Sequence, residues 1–426
     1  MLSKFIFNMG QQLRNPSIQK WFDFLKTSEN WSIEELEVYQ LEKLKELLSF
    51  AYENSDFYKR LFDDHNILLK DIQSLSDLSK IPTIEKQDLL QFNHEIHTQN
   101  TYKTLKATTS GSSGESLVFQ REEATDSFNR ASIFRGYSWY DVQPWDKNGY
   151  FWGFNFSWKQ KLKTKILDVL QNRFRIFSYD KNSFEAFVNK LGTATYLHGY
   201  SSMIYQTAKL VNERNLAKPK HIKLVKGTSE KIFEKYQEEV KKAFGVPMVS
   251  EYGATESGII AFECPEGNMH LNMEGVLVEE INHEIVVTNL QMKSFPIIRY
   301  KLGDYISLEK DDYQCNCGRA HKVLKEVTGR VGSNVYGKQE IYPSLYFYYI
   351  FKNLVKTYGL KLNYQVHQSK KGFLIFTIEQ QLEAQDLIYL EKEIRKYFKN
   401  DVNFEIHSNQ TLLSTKGKFK SFISKL

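Results

Sequence analysis

Val246-Pro247-Met248-Val249-Ser250-Glu251-Tyr252-Gly253-Ala254-Thr255-Glu256-Ser257-Gly258 joins a strand-like apolar run to a polar, glycine-punctuated loop, directly after a helical pattern over residues 229 to 244. Helix, strand and polar loop in succession form the repeating unit of an α/β fold. The alternation runs from about residue 103 to 310, with another helical pattern at 182 to 192 and the strand-like HEIVVTNL from His283. Upstream, Leu36, Tyr39, Leu41, Leu44, Leu47 and Leu48 recur at spacings of three and four, so residues 34 to 62 read as an amphipathic helix. Pro82 breaks the next segment, and Thr83 is the expected start of a further helix. Past Gly329 the pattern restarts as a small α+β unit: helix near 344 to 357, strand 373 to 378, helix 383 to 398, strand 402 to 407. The turn-forming GRVGSN at 329 to 334 marks the boundary, giving a large unit at 1–328 and a small one at 329–426.

The 426 residues, 41% hydrophobic and 25% charged, describe a globular chain with ample core. The net charge of +6 is spread through interleaved acids and bases such as Glu391-Lys392-Glu393, without the basic stripe a nucleic-acid reader would carry. Neither a long apolar span nor a signal-peptide pattern is apparent, so no integral membrane segment and a cytoplasmic location are expected.

Three loops carry residue types suited to nucleotide chemistry. Thr108-Thr109-Ser110-Gly111-Ser112-Ser113-Gly114-Glu115 sets hydroxyls between glycines, so that backbone N–H groups and side chains can approach a polyphosphate. A flexible Gly/Ser turn reads equally well, and the Walker pattern is absent. In 251 to 258, Tyr252, Gly253, Thr255 and Glu256 combine an aromatic face, a hydroxyl and a carboxylate suited to Mg²⁺; an ordinary polar turn is the alternative. In Arg299-Tyr300-Lys301-Leu302-Gly303-Asp304 a carboxylate follows an expected turn and suits ribose hydroxyls. At the end, Thr415-Lys416-Gly417-Lys418 places a lysine on a glycine-containing loop, either as a charge-neutralising group or as a solvated basic tail.

Taken in order, TTSGSSGE, EYGATESG, RYKLGD, GRVGSN and TKGK resemble the signature blocks of the adenylate-forming enzymes, in the branch of phenylacetate–CoA ligase and its capsular-polysaccharide (CapK-type) relatives. YENSDFYKRLF and LSDLSKIPTIEKQDLL are similar to that branch's N-terminal helices, so the resemblance runs nearly end to end. It implies a large, multi-subdomain α/β domain binding ATP and an acyl substrate, with a small mobile α+β domain that rotates between half-reactions. It further implies that Ser110, Gly111, Ser112, Ser113 and Gly114 hold the ATP phosphates, Tyr252 and Gly253 face the adenine, and Glu230 borders it. Thr255 would touch phosphate, Glu256 bind Mg²⁺, Asp304 bind ribose, Arg330 stand at the domain junction and Lys418 assist adenylation.

The activity implied is ATP-dependent activation of a carboxylic acid as its acyl-adenylate, followed by transfer to coenzyme A or to an amine acceptor. Surface-polysaccharide assembly is one setting the branch suggests, and a homodimer is one it allows. Glu115 replaces the lysine common in the family's phosphate loop, and the segment after Arg330 lacks the usual acidic hinge residue. These departures motivate a second reading, a catalytically degenerate relative with a nucleotide- or partner-binding role.

All three cysteines join one histidine in a separate constellation: Cys264, His270, Cys315 and Cys317. A Cys₃His set suits structural tetrahedral Zn²⁺, the alternative being thiols packed as small hydrophobes. The aromatic-rich stretch from Tyr137 to Trp158 reads mainly as core, with an acyl or acceptor pocket as the other option.

Overall fold

The computed structural model describes residues 2–99, 103–109, 116–151, 158–176, 181–229, 232, 234–330, 334–342, 344–412, 414–415, 418–419 and 422–426. Its centre is an eleven-stranded mixed sheet. One half is parallel: Arg173–Arg175, Asn148–Phe151, Tyr196–Tyr200, Leu224–Thr228 and Met248–Ala254, in that spatial order. The other half is antiparallel and continues through Gly258–Glu263, Met269–Leu271, Val323–Arg330, Tyr300–Leu308, Glu284–Asn289 and Val276–Ile281. The hairpin of Met248–Ala254 with Gly258–Glu263 is the seam between them.

Parallel neighbours need crossovers, supplied by helices such as Ser201–Glu213 and Glu234–Phe244. The central strands of this half are largely buried, Tyr196–Tyr200 at every position, and the polar groups they bury are paired, as Lys226 with Glu251.

The expected helix at 34 to 62 is two helices, Ile33–Asn54 and Asp56–Asp64. Ser55 interrupts the periodicity: its backbone is extended, while its hydroxyl caps the second helix at the Tyr58 N–H and donates to the Glu95 carbonyl. The first helix begins with a capping box, Ser32 and Glu35 bonding each other's backbone N–H groups. The helix after Pro82 starts at Lys86 and not at Thr83, because Ile84 is drawn into a bridge with Tyr300 and Glu85 becomes the cap.

Beyond Arg330, a four-stranded sheet (Asn403–His407, Phe373–Ile378, Tyr364–Lys370, Phe422–Ser424) packs with helices Leu345–Tyr358 and Ala384–Phe398. Its apolar core is continuous with that of helices Ser201–Glu213 and Glu234–Phe244, through contacts such as Tyr200 against Tyr349. No described helix is long and apolar enough to cross a membrane.

A buried ion pair ties the N-terminal helices to the sheet. Arg135 donates to Glu274 at 2.6 Å and to Asn272 at 2.8 Å, while Ser28 and His321 meet the same Glu274 carboxylate. Burial works against the Glu274 charge, yet Arg135 and His321 hold its carboxyl well below the usual range.

Candidate functional site

The seam hairpin carries the first cluster. Glu251, Tyr252, Gly253 and Ala254 are not a loop but the end of a strand; only Thr255-Glu256-Ser257 turns before Gly258 opens the return strand. The turn requires glycine at 258, whose φ is +76° and where an added Cβ would lie 2.0 Å from Asn129 Oδ1. Gly253 allows close approach in the same hairpin, its absent Cβ lying 2.5 Å from the Gly258 carbonyl oxygen.

Asp304 also differs from expectation. It lies within the strand Tyr300–Leu308 rather than after a turn: Gly303, at φ +85°, falls where the pairing with Glu284–Asn289 is irregular, and pairing with Val323–Arg330 begins at Asp304 itself. The Tyr252 hydroxyl donates to Asp304 Oδ2 at 2.7 Å. Their strands are four places apart in sheet order, and the intervening Met269–Leu271 is only three residues long, so the sheet curls to bring them together. Asp304 pairs in register with Arg330, which ends the neighbouring strand.

Glu256 is buried at 2% exposure, and the Glu256 and Ser257 carbonyls accept from Asn289 Nδ2. Arg121, which the sequence reading overlooked, donates to the Thr255 carbonyl at 2.7 Å and faces Glu256 electrostatically. Burial lowers its pKa, and Asp126, Glu122 and Glu256 pull the other way. Its signal was its position on Val118–Glu122, the strand that follows the hydroxyl-rich loop. That strand pairs with Thr104–Thr108, and Thr109 closes the pair by accepting from and donating to Leu117.

The structure therefore brings together Tyr252, Gly253, Thr255, Glu256, Asp304 and the Arg330 backbone, with the stem of the 110–115 loop alongside. Ser110, Gly111, Ser112, Ser113, Gly114, Glu115 and Glu230 lie outside the described residues, as do the side chains of Arg330 and Lys418. The Lys418 backbone belongs to a short strand pairing with Ser414–Thr415.

The second cluster is built by register. His270 pairs with Val323, which brings the loop carrying Cys315 and Cys317 over the turn at Cys264. The four donor atoms lie within 4.8 Å of one another. Cys264 Sγ and Cys315 Sγ are 3.7 Å apart, against about 3.8 Å for two thiolates on a tetrahedral Zn²⁺ with bonds of about 2.3 Å. His270 Nδ1 meets the His321 carbonyl at 2.9 Å, leaving Nε2 directed at Cys317 Sγ, 3.1 Å away. Burial lowers the His270 pKa to about 4, so the imidazole is neutral, as a ligand must be. Donor set, spacing and outer hydrogen bond all fit zinc.

No family model matches the chain. It is 23% identical to Protein CapK of Staphylococcus aureus over 311 residues, 68% of this chain and 67% of that protein. It is 44% identical to phenylacetate-coenzyme A ligase of Escherichia coli (strain K12) over 61 residues, 14% of each chain. Among solved structures it superposes on 2-hydroxyisobutyryl-CoA ligase, in complex with 2-HIB-AMP and CoA, with a TM-score of 0.64 at 16% identity, covering 93% of this chain and 91% of that one. The chain thus has the fold of 2-hydroxyisobutyryl-CoA ligase. By sequence it is similar to CapK over two thirds of its length and to phenylacetate-coenzyme A ligase over a short segment.

Proposed function

We propose that this protein is an ATP-dependent carboxylate ligase that forms an acyl-adenylate and passes the acyl group to coenzyme A or to an amine, with surface-polysaccharide assembly as its setting. The observation that supports this most is the Tyr252–Asp304 hydrogen bond beside Thr255 and Glu256. It gathers groups suited to adenine, ribose, phosphate and Mg²⁺ from positions far apart in the chain.

In this reading Asp304 accepts from the ribose hydroxyls and Tyr252 lies against the base. Thr255 and the 110–115 loop face the phosphates. Mg²⁺ held through Glu256 would offset phosphate charge as the substrate carboxylate attacks the α-phosphorus and pyrophosphate leaves. Arg121 fixes the backbone of the turn that presents Thr255 and Glu256. Lys418 neutralises developing negative charge in the first half-reaction. The 329–426 unit would carry Lys418 in and out by rotating, which requires parting the apolar contact of Tyr200 with Tyr349 as well as the pair of Lys209 with Glu340. A structural Zn²⁺ on Cys264, His270, Cys315 and Cys317 braces the antiparallel half of the sheet and takes no part in the chemistry.

The test is carboxylate-dependent ATP–pyrophosphate exchange across a panel of acids. We expect exchange with at least one acid, reduced about 10²- to 10³-fold by Lys418→Ala. Tight ATP binding with no exchange on any acid would favour the degenerate reading that Glu115 motivates.

A further inference from the structure

Ten of the seventeen large hydrophobic side chains exposed among the described residues lie on two short helices, Leu2–Arg14 and Trp158–Leu170, which neighbour each other. Such concentration on so little of the chain marks a covered surface and not the scatter of ordinary exposed apolar residues.

Trp158–Leu170 is exposed at every position except Thr164 and Asp168. It is held down on that edge: Arg175 donates to both oxygens of Asp168 at 2.8 Å, and Arg173 approaches at 3.9 Å. Trp158, Leu162, Ile166 and Leu170 recur every fourth residue, with Val169 beside them, and form a stripe turned away from the anchor. Trp158 is 75% and Val169 77% exposed. Lys161 and Lys165 flank one side of the stripe, and Lys159 and Lys163 lie on the other, between it and the exposed Leu167. A helix of thirteen residues is marginal alone, so this face needs a partner.

The neighbouring helix adds apolar surface without flanking lysines, its one lysine, Lys4, lying over the Trp145 ring. Phe7 faces inward against the rings of Phe134 and Trp145, while Leu2, Phe5, Met9 and Leu13 face outward.

We infer that these two helices form a docking surface for an anionic lipid bilayer, lying in the plane of the interface with the apolar stripes immersed and the flanking lysines on the headgroups. Apolar residues including Trp, bordered by lysines that reach outward, have the chemistry of an in-plane interfacial helix. Charge decides between a membrane and a second copy of the chain. A two-fold contact through this face would set lysines against lysines, and the one acid of the Trp158–Leu170 helix is already engaged by Arg175. Positive charge is crowded further by Lys356, whose pKa is lowered by burial and by the charges of Lys352 and Lys161. An anionic surface relieves that repulsion.

The test is flotation of the full-length protein with vesicles of phosphatidylcholine alone, or with a third of the lipid as phosphatidylglycerol. We expect the wild type to float with the anionic vesicles, less so at high salt. Leu162→Asn with Ile166→Asn, and separately Lys161→Gln with Lys165→Gln, should each lower the bound fraction by about tenfold or more. Leu162→Trp should retain binding. These side chains are exposed, so melting temperature and ATP–pyrophosphate exchange in solution should not change, which separates this surface from the ligase reading. A wild type that stays unbound, or binding that survives both paired variants, would overturn the inference. So would a lipid-free dimer in sedimentation velocity that Leu162→Asn with Ile166→Asn dissociates.

Discussion

Replacing Cys315 by alanine removes one of four ligands from the proposed zinc site and opens a cross-link between points 51 residues apart. Treated as a loop closed by a cross-link, that span constrains the unfolded chain by about 4 kcal/mol at 25 °C. Unfolding entropy of about 2.1 cal/mol/K per residue, over 426 residues, comes to roughly 0.9 kcal/mol/K, so the melting temperature should fall by about 5 °C. Two measurements check this: elemental analysis of purified protein and calorimetric unfolding. The wild type should carry one zinc per chain and Cys315→Ala almost none, with the calculated fall in melting temperature. Cys317→His, which keeps a donor atom, should retain most of the metal. Wild-type protein purified without zinc, together with an unchanged melting temperature in Cys315→Ala, would refute the reasoning.

Tyr252→Phe deletes the hydroxyl that bonds Asp304 and should raise KM for ATP several-fold, with Asp304→Ala raising it about tenfold or more, measured in the exchange assay. Glu274→Gln strips the counter-charge from buried Arg135 and should cost about 3 to 5 kcal/mol in denaturant unfolding. Because the folded Glu274 pKa lies below its unfolded value, its contribution is present above the ordinary carboxylate range of about 4.3 and fades as pH falls below it; an acid titration of the Gln variant should lack that component. Gly258→Ala and Gly267→Ala each force alanine into the left-handed region, but only the first places a Cβ on a neighbour, Asn129, so loss of both stability and exchange is expected at 258 and a smaller loss of stability at 267.

Elements with a local signature were legible in the sequence. Phe373–Ile378 is a run of apolar and β-branched residues, and Leu345–Tyr358 ends at Gly359 in the left-handed conformation its pattern invites. What escaped depended on partners distant in the chain. Ser55 breaks a helix where its hydroxyl both donates to the Glu95 carbonyl and accepts from the Tyr58 N–H, and no local periodicity records that. Asp304 looked like a turn residue because glycine precedes it, yet pairing with Arg330 keeps it in the strand. The four metal-ligand candidates were recognisable by residue type, whereas the His321 carbonyl that orients His270 was not, since any residue can supply a carbonyl. The Arg135–Glu274 pair, 139 residues apart, carries no local signature either, whereas Arg121 was marked only by its place on the strand after the hydroxyl-rich loop.

The seam hairpin belongs to two halves that assemble differently. Antiparallel strands can form by short reversals, whereas the parallel strands each wait for a crossover to close. Tyr252 enters from one side and Asp304 from the other, so their hydrogen bond closes only when both halves are in place. If the pair holds a nucleoside as proposed, competence to bind ATP would arrive late in refolding, after most strand structure has returned. A nucleotide present during that interval would then act as a latch, drawing the last closure forward by mass action.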